Sequence, residues 1–259
     1  MDLGIAGRRA VVCGSSKGLG LACATALAEA GVEVVLNGRS PEPLAAAAQA
    51  LAARIGRPVT SVAADVLDAD GRARLLAACP EPDILITNAA GPAPGQFEDW
   101  DEAAWHAALQ ANMVAPLQLI RATIGPMRAR GWGRILNITS AAVKAPIPML
   151  GLSTGARSGL TGAVASLARE AARDGVTINN LMPGQFDTDR LASVFASQAA
   201  RQGIAVEEAR RRAEAVNPAR RIGRPEEFGA VAAFIASEHA GYITGQNLLL
   251  DGGAYPGVF

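Results

Sequence analysis

The sequence predicts an α/β protein, a doubly wound parallel sheet of seven strands in a single domain spanning residues 1–259, and three observations carry that reading. Short β-branched runs alternate with longer Ala- and Leu-rich stretches of helical period, the pattern of a parallel sheet covered by helices. A glycine-rich turn, Gly14 to Gly20, falls between the first such run and the first helical stretch. No repeat, low-complexity linker or composition break marks a second domain, and 50% of the chain is hydrophobic, enough for one buried core.

The elements follow in order. RAVVC at 9–13 reads as the first strand, and LGLACATALAEA at 19–30 as the helix behind the turn. VEVVLN at 32–37 with the Ala-rich stretch 44–54, and VTSVA at 59–63 with 69–78, repeat the strand–helix alternation. ILIT at 84–87 precedes a long helical stretch from about 102 to 130. RILNIT at 134–139 leads to a helix over 154–173, and VTINNL at 176–181, a helix over 225–236 and LLL at 248–250 close the series. One segment departs from the alternation. Residues 188–217 are too long for an ordinary connection and helical in pattern (VEEARRRAEAV), which fits either a solvated surface helix pair or a lid. Its place just past a strand end favours the lid.

Charge and cysteine usage exclude several functions. Lys+Arg 24 against Asp+Glu 24 gives zero formal charge, so the chain lacks the field that nucleic acid or an anionic membrane surface calls for. Expected partners are a small molecule and copies of the chain itself. Cys13, Cys23 and Cys79 are odd in number and show neither CxxC nor Cys/His spacing, so neither a disulfide scaffold nor a metal site is expected, and a reducing cytoplasm fits. No run is long enough for a signal peptide or a membrane span. The chain holds only two tyrosines, Tyr242 and Tyr255, and two histidines, His106 and His239, so an acid or base must come from a short set.

In Gly14-Ser15-Ser16-Lys17-Gly18-Leu19-Gly20, glycines allow a tight turn and close backbone approach to a pyrophosphate at a helix N-terminus, although such a turn alone can simply reverse a chain. Strand, turn, helix and second strand within about 30 residues point to a dinucleotide site. The GxxxGxG spacing resembles the short-chain dehydrogenase/reductase family, close to its 3-oxoacyl-acyl-carrier-protein reductase group. The resemblance extends over nearly the whole chain. Asp65-Val66 is similar to the pair used beside adenine, Asn88-Ala89-Ala90-Gly91 to the Asn-Asn-Ala-Gly segment, and Pro183-Gly184 with Thr188 to PGxxxT. Gly223-Arg224-Pro225-Glu226-Glu227, Tyr242-Ile243-Thr244-Gly245-Gln246 and Asp251-Gly252-Gly253 complete it. The resemblance implies a Rossmann-type fold, a nicotinamide cofactor, and a dimer or tetramer packed through the helices around 102–130 and 154–173. Independently of it, Gly14, Arg39, Asp65, Asn88, Ser140 and Pro183 all fall just beyond predicted strand ends, where open α/β sheets bind ligands.

The second strand ends Asn37-Gly38-Arg39-Ser40 without the carboxylate that usually accepts from an NAD ribose. Arg39, with Lys17, can instead cap a 2′-phosphate, so NADP(H) is expected over NAD(H), unless both are merely solvated surface cations. Phe186 joins the expected cofactor-binding residues.

For catalysis, the resemblance implies an Asn, a Ser, and a Tyr-x-x-x-Lys thirteen positions after that Ser. Asn112 fits the first place: Pro116 four residues later has no N–H for the Asn112 carbonyl, leaving it for a water, or marking only a kink. Ser140 fits the second. Counting on from it reaches Ser153 and Arg157, so the tyrosine and lysine are replaced. Serine lacks a phenol's acidity and reach, and arginine does not readily relay a proton. Lys144, four residues after Ser140, is a candidate substitute acid or a partner for a substrate carboxylate, or else an exposed loop lysine. Asp187 and Asp189 form a further candidate acid pair, and both histidines read as structural or solvated. Two functions follow: an NADP(H)-dependent oxidoreductase interconverting a carbonyl and an alcohol with a non-standard proton donor, or a nucleotide-binding protein without redox turnover. The loop 91–97 and Phe186, Leu191, Val194 and Phe195 suggest an apolar pocket under a movable cover, with Lys144 and Arg157 hinting at an anionic ligand group.

Overall fold

A computed structural model describes residues 1–258. Seven strands, β1 (Arg9–Val12), β2 (Glu33–Gly38), β3 (Thr60–Ala63), β4 (Ile84–Thr87), β5 (Gly133–Ile138), β6 (Val176–Pro183) and β7 (Asn247–Leu250), form one sheet in the order β3-β2-β1-β4-β5-β6-β7. Every neighbouring pair is parallel. The chain runs outward from β1 to β3, then crosses back to lay β4 on the other side of β1, so strand order reverses between β1 and β4. At that reversal the connections leave in opposite directions and open a crevice at the strands' carboxyl ends.

Both faces of the sheet are buried along its central strands, which are continuously apolar, while the edge strand β3 is largely exposed. Alternate residues divide between two cores. Val12, Leu36, Ile84, Ile86 and Leu136 face a layer containing Leu27, Leu44 and Phe228; Val11, Val35, Leu85, Ile135 and Ile178 face one containing Leu119, Ile120 and Leu160. The first layer is built by α1 (Gly18–Glu29), α2 (Pro41–Ile55) and α9 (Pro225–Ile235), and the second by α3 (Ala69–Ala78), α5 (Ala115–Ala129) and α6 (Gly151–Ala172). A short α4 (Glu102–Leu109) runs through a π turn, Gln110–Val114, into α5.

Strand bounds follow the sequence expectation to within a residue or two, and two helices start earlier than expected. Pro41 at the first turn of α2 is preorganised for a helix start, and Gly151 and Ser153 in the first turn of α6 have weak helix propensity, so period alone begins each helix late. Residues 188–217 form two helices, α7 (Asp189–Gln202) and α8 (Val206–Val216), around their own small core of Phe195, Ala199, Ala209 and Ile222. Among the described residues no helix is long and apolar enough to cross a membrane, and no His/Cys/Asp/Glu cluster could hold a metal ion.

Candidate active site

The crevice is a cleft of about 1150 Å³ walled by the turns after β1, β2, β4 and β5, the inner faces of α4 and α6, and the segment from Pro183 into α7. On the β1 side, Gly14 and Gly18 take φ of +57° and +60°, the left-handed region that glycine adopts without strain. Lys17 is the N-cap of α1, and no side chain caps the helix, so its first N–H groups are left for an anion. Gly20 does not line the cleft, which corrects the expectation that it touches the cofactor. A Cβ there would drive into the Gly14 carbonyl and lie 2.9 Å from Asn88 Nδ2, so its bare Cα is what lets α1 close on the turn. Asn88 in turn donates from Nδ2 to the Gly14 carbonyl at 3.1 Å, tying the β1 and β4 turns together.

Arg39 is exposed at the cleft edge beyond β2. Asn37 also borders the cleft, but its amide is spent on the Val62 and Ala64 carbonyls at 3.1 and 3.0 Å, so it fastens β2 to the end of β3. Lys17 makes an exposed ion pair with Asp189 at 2.9 Å, and Asp187 is held by both terminal nitrogens of Arg210 at 3.1 and 3.0 Å. Asp187 and Asp189 are thus each paired with a cation. His106 lies 3.6 Å from Glu102, and His239 bonds the Asp2 carbonyl, both away from the cleft.

At the other end of the cleft, Asn112, Ser140, Ser153 and Arg157 come together. The π turn around Asn112 shows in the bond from Ala115 N–H to the Gln110 carbonyl, five residues back. Asn112 is 2% exposed; its Nδ2 donates weakly to Ala108 O at 3.4 Å, and its Oδ1 is buried without a partner. Ser140 Oγ accepts from Ala142 N–H at 3.1 Å, which leaves its own O–H free to donate. Ser153 Oγ accepts from Arg157 Nε at 3.1 Å and retains its O–H in the same way. Arg157 donates further to Ile138 O at 2.8 Å and Ala89 O at 3.3 Å, so it clamps the ends of β4 and β5 from α6. Burial, and secondarily the neighbouring Arg190, lower the Arg157 guanidinium to about 10.

Lys144 does not line the cleft, contrary to the sequence expectation. A 3₁₀ turn over Ala141–Val143, capped by Ser140, rotates the chain so that Lys144 Nζ sits 5.1 Å from the centre of the Tyr255 ring. Tyr242 is fully exposed, and neither tyrosine borders the cleft. Asp65, Val66, Ala89, Ala90, Ser16, Leu19, Pro183, Gly184, Phe186 and Thr188 all border it. Thr188 caps α7 by accepting from Leu191 N–H at 3.4 Å, while Phe186 packs edge-on against Phe228 at 5.3 Å and so fixes the root of the α7–α8 segment. Arg190 and Trp100 are wall residues the sequence did not reveal. Arg190 donates to the Gly91 and Pro92 carbonyls at 3.4 and 3.3 Å, a reach across the cleft that nothing in the local pattern of α7 encodes.

The chain matches the family described as enoyl-(acyl carrier protein) reductase over residues 14–255. It is 31% identical to the D-beta-hydroxybutyrate dehydrogenase of Rhizobium meliloti over 258 residues, 95% of this chain and 98% of that protein. Its fold superposes on the L-sorbose reductase of Gluconobacter frateurii, complexed with NADPH and L-sorbose, at a TM-score of 0.94 with 28% identity and 100% of both chains covered. A 3-oxoacyl (acyl-carrier-protein) reductase from Agrobacterium tumefaciens C58 with NADP bound is 32% identical, with a TM-score of 0.86 over 97% of this chain and 95% of that one. The chain therefore belongs to the short-chain dehydrogenase/reductase family.

Proposed function

We propose that this protein is an NADP(H)-dependent oxidoreductase that interconverts a small carbonyl compound and its alcohol, with water in place of a side-chain acid as the proton source. One observation carries the reading: the uncapped N-terminus of α1 and the free hydroxyl of Ser140 open into one cleft at the switch point of the sheet. NADPH or NADP in the two structural relatives supports the cofactor class.

The residues fit that cofactor. The Gly14–Gly20 turn and the α1 N-terminus suit its diphosphate, Arg39 beyond β2 suits a 2′-phosphate, and Asp65, Val66, Asn88, Ala89, Ala90, Pro183, Gly184, Phe186 and Thr188 line the rest of its path. Lys17, whose ammonium keeps two N–H donors beyond its bond to Asp189, adds a second cation. When bound, the reduced nicotinamide supplies the hydride. Ser140 Oγ–H donates to the substrate carbonyl oxygen and stabilises the negative charge that develops there.

Ser153 and Arg157 stand where members of the 3-oxoacyl-acyl-carrier-protein reductase group carry Tyr and Lys. Their spacing from Ser140 and their joint place on the cleft wall of α6 support that reading. Ser153 Oγ–H orients a water that gives its proton to the alkoxide, and the hydroxide left behind takes a proton from bulk solvent through the open cleft. The orphaned Oδ1 of Asn112 supports a water at this end, because a buried acceptor without a donor costs about 1–3 kcal/mol. Arg157 holds Ser153 and the cofactor ribose and transfers no proton. The segment of α7 and α8 acts as a lid anchored at Thr188 and Phe186. Exposed small residues on α5 and α6, among them Ala122, Gly162 and Ala163, fit a pairing face between copies, and mass measurement in solution tests it.

Spectrophotometric loss of NADPH across a panel of aldehydes, ketones and oxo acids tests the function. The expected result is turnover that Ser140→Ala nearly abolishes and Lys144→Ala leaves intact. Tight NADPH binding without turnover of any compound would favour the competing reading, a nucleotide-binding protein without redox activity, for which the lack of any tyrosine in the cleft speaks.

A further inference from the structure

Two cations stand on the cleft wall with no carboxylate among the described residues to balance them. Arg157 is 8% exposed and bonded only to backbone carbonyls and the Ser153 hydroxyl. Arg190 reaches only the Gly91 and Pro92 carbonyls, at the long distances of 3.4 and 3.3 Å. The acidic residues that border the cleft are engaged elsewhere: Asp189 with Lys17, Asp65 with the Leu67 N–H at 3.0 Å, and Asp99 with the Gln96 N–H at 3.0 Å. Asp187, next on the lid, is held by Arg210.

Both guanidiniums converge on one bare position. A Cβ built on Gly91 would lie 3.3 Å from an Arg190 terminal nitrogen, 3.6 Å from an Arg157 terminal nitrogen and 3.6 Å from Ser153 Oγ. Three donors, two of them charged, thus surround a spot that glycine leaves open. Of the five N–H groups of Arg157, three are used in the bonds above, leaving two, one for the cofactor ribose and one for an anion. Arg157 is buried and Arg190 stands at the exposed edge beside it; burial first, and then the like charge of Arg190, lower the Arg157 guanidinium. An anion that accepts from both offsets the like charges, and planar guanidinium forks match a carboxylate in particular.

Arg157 bonds the carbonyl of Ile138, two residues before Ser140, and the Ser153 hydroxyl, so the spot adjoins the oxyanion donor. We propose that Arg157 and Arg190 form, across Gly91, a carboxylate-recognition site, so that the substrates are oxo acids or the matching hydroxy acids. The substrate class rests on the oxidoreductase reading; the anion site does not.

The test pairs α-, β-, γ- and δ-oxo acids with their methyl esters, which keep the ketone and remove the charge. Initial rates with NADPH are compared for the wild type, Arg190→Gln and Arg190→Lys, and 4-oxopentanoate is titrated calorimetrically into the NADP⁺-loaded protein. Arg190 is exposed in the first turn of α7, so its variants fold. The site requires that the wild type prefer an acid to its ester. Arg190→Gln should cut the acid-to-ester ratio of kcat/KM roughly 10- to 100-fold, the loss of one charge-assisted hydrogen bond, with Arg190→Lys restoring part of it. A wild-type ratio near one, or a ratio unchanged by Arg190→Gln, overturns the proposal. So does an Arg190→Gln variant that loses NADPH affinity at constant acid-to-ester ratio, which would assign the anion to the nucleotide phosphates. If no compound is turned over, 4-oxopentanoate binding that weakens in Arg190→Gln keeps the anion site while the oxidoreductase reading falls; absence of binding removes the site as well.

Discussion

Replacing Gly20 by alanine adds a single methyl group at the point where α1 closes on the phosphate-binding turn. That carbon would overlap the Gly14 carbonyl oxygen and sit 2.8 Å from the carbonyl carbon and 2.9 Å from Asn88 Nδ2. An ordinary carbon–carbon contact is about 3.5 Å, so helix and turn must part by about 0.7 Å or more, and the atoms met are mostly backbone, which cannot rotate away. The helix has little room to retreat, because a Cβ on Gly229 of α9 would already lie 2.8 Å from the Ala22 carbonyl carbon on its other side. Overpacking of this kind costs about 1–3 kcal/mol, which in a domain near this size lowers Tm by about 2–12 °C. The same displacement pulls the α1 N–H groups from the anion they face, so the NADPH Kd should rise at least about tenfold. Thermal unfolding with and without NADPH, and direct titration of the nucleotide, measure both. A Gly20→Ala protein with wild-type Tm and wild-type Kd would refute the packing argument and with it the assignment of the turn.

Three further outcomes follow from the same geometry. Arg39→Ala combined with Lys17→Ala should raise the KM for NADPH at least about tenfold while leaving NADH kinetics nearly unchanged, since each charge-assisted contact is worth about 1.5–3 kcal/mol; unchanged NADPH kinetics would remove the 2′-phosphate assignment. Ser140→Ala should lower kcat roughly 100- to 1000-fold with little change in nucleotide affinity, as measured by steady-state rates beside NADPH titration. Glu227, in the first turn of α9, has its carboxyl lowered to about 2 by hydrogen bonds from Arg221 and then from the Arg224 N–H. Its stabilising effect is therefore complete above the ordinary carboxylate range and lost as pH falls through that range toward 2, so Tm curves of wild type and Glu227→Gln should differ at neutral pH and converge in acid.

The sheet was legible because its central strands are short apolar runs ending near a turn residue, and burial on both faces requires that pattern whatever the helices do. The floor of the cleft was legible for the same reason: Gly14, Asn88 and Ser140 sit at strand ends, and parallel strands place all those ends on one edge. What escaped depends on how side chains turn. Asn37 and Gly20 stand at the right places, yet one amide is consumed by β3 and one missing Cβ serves helix packing. Lys144 is carried off by a 3₁₀ turn whose direction depends on the Ser140 cap. Arg190 joins the site only because Thr188 caps α7 and its root packs on Phe228, setting the first turn of the lid over Gly91, a long-range arrangement with no local period.

Transfer of isotope from cofactor to product tests the central claim most directly. NADPH carrying deuterium at the transferred position of its nicotinamide is incubated with the enzyme and each member of the carbonyl panel, and the alcohol is analysed by mass spectrometry. The account predicts one deuterium on the carbinol carbon and a hydroxyl proton drawn from solvent. Tight binding of the labelled nucleotide with no deuterium in any product would contradict it.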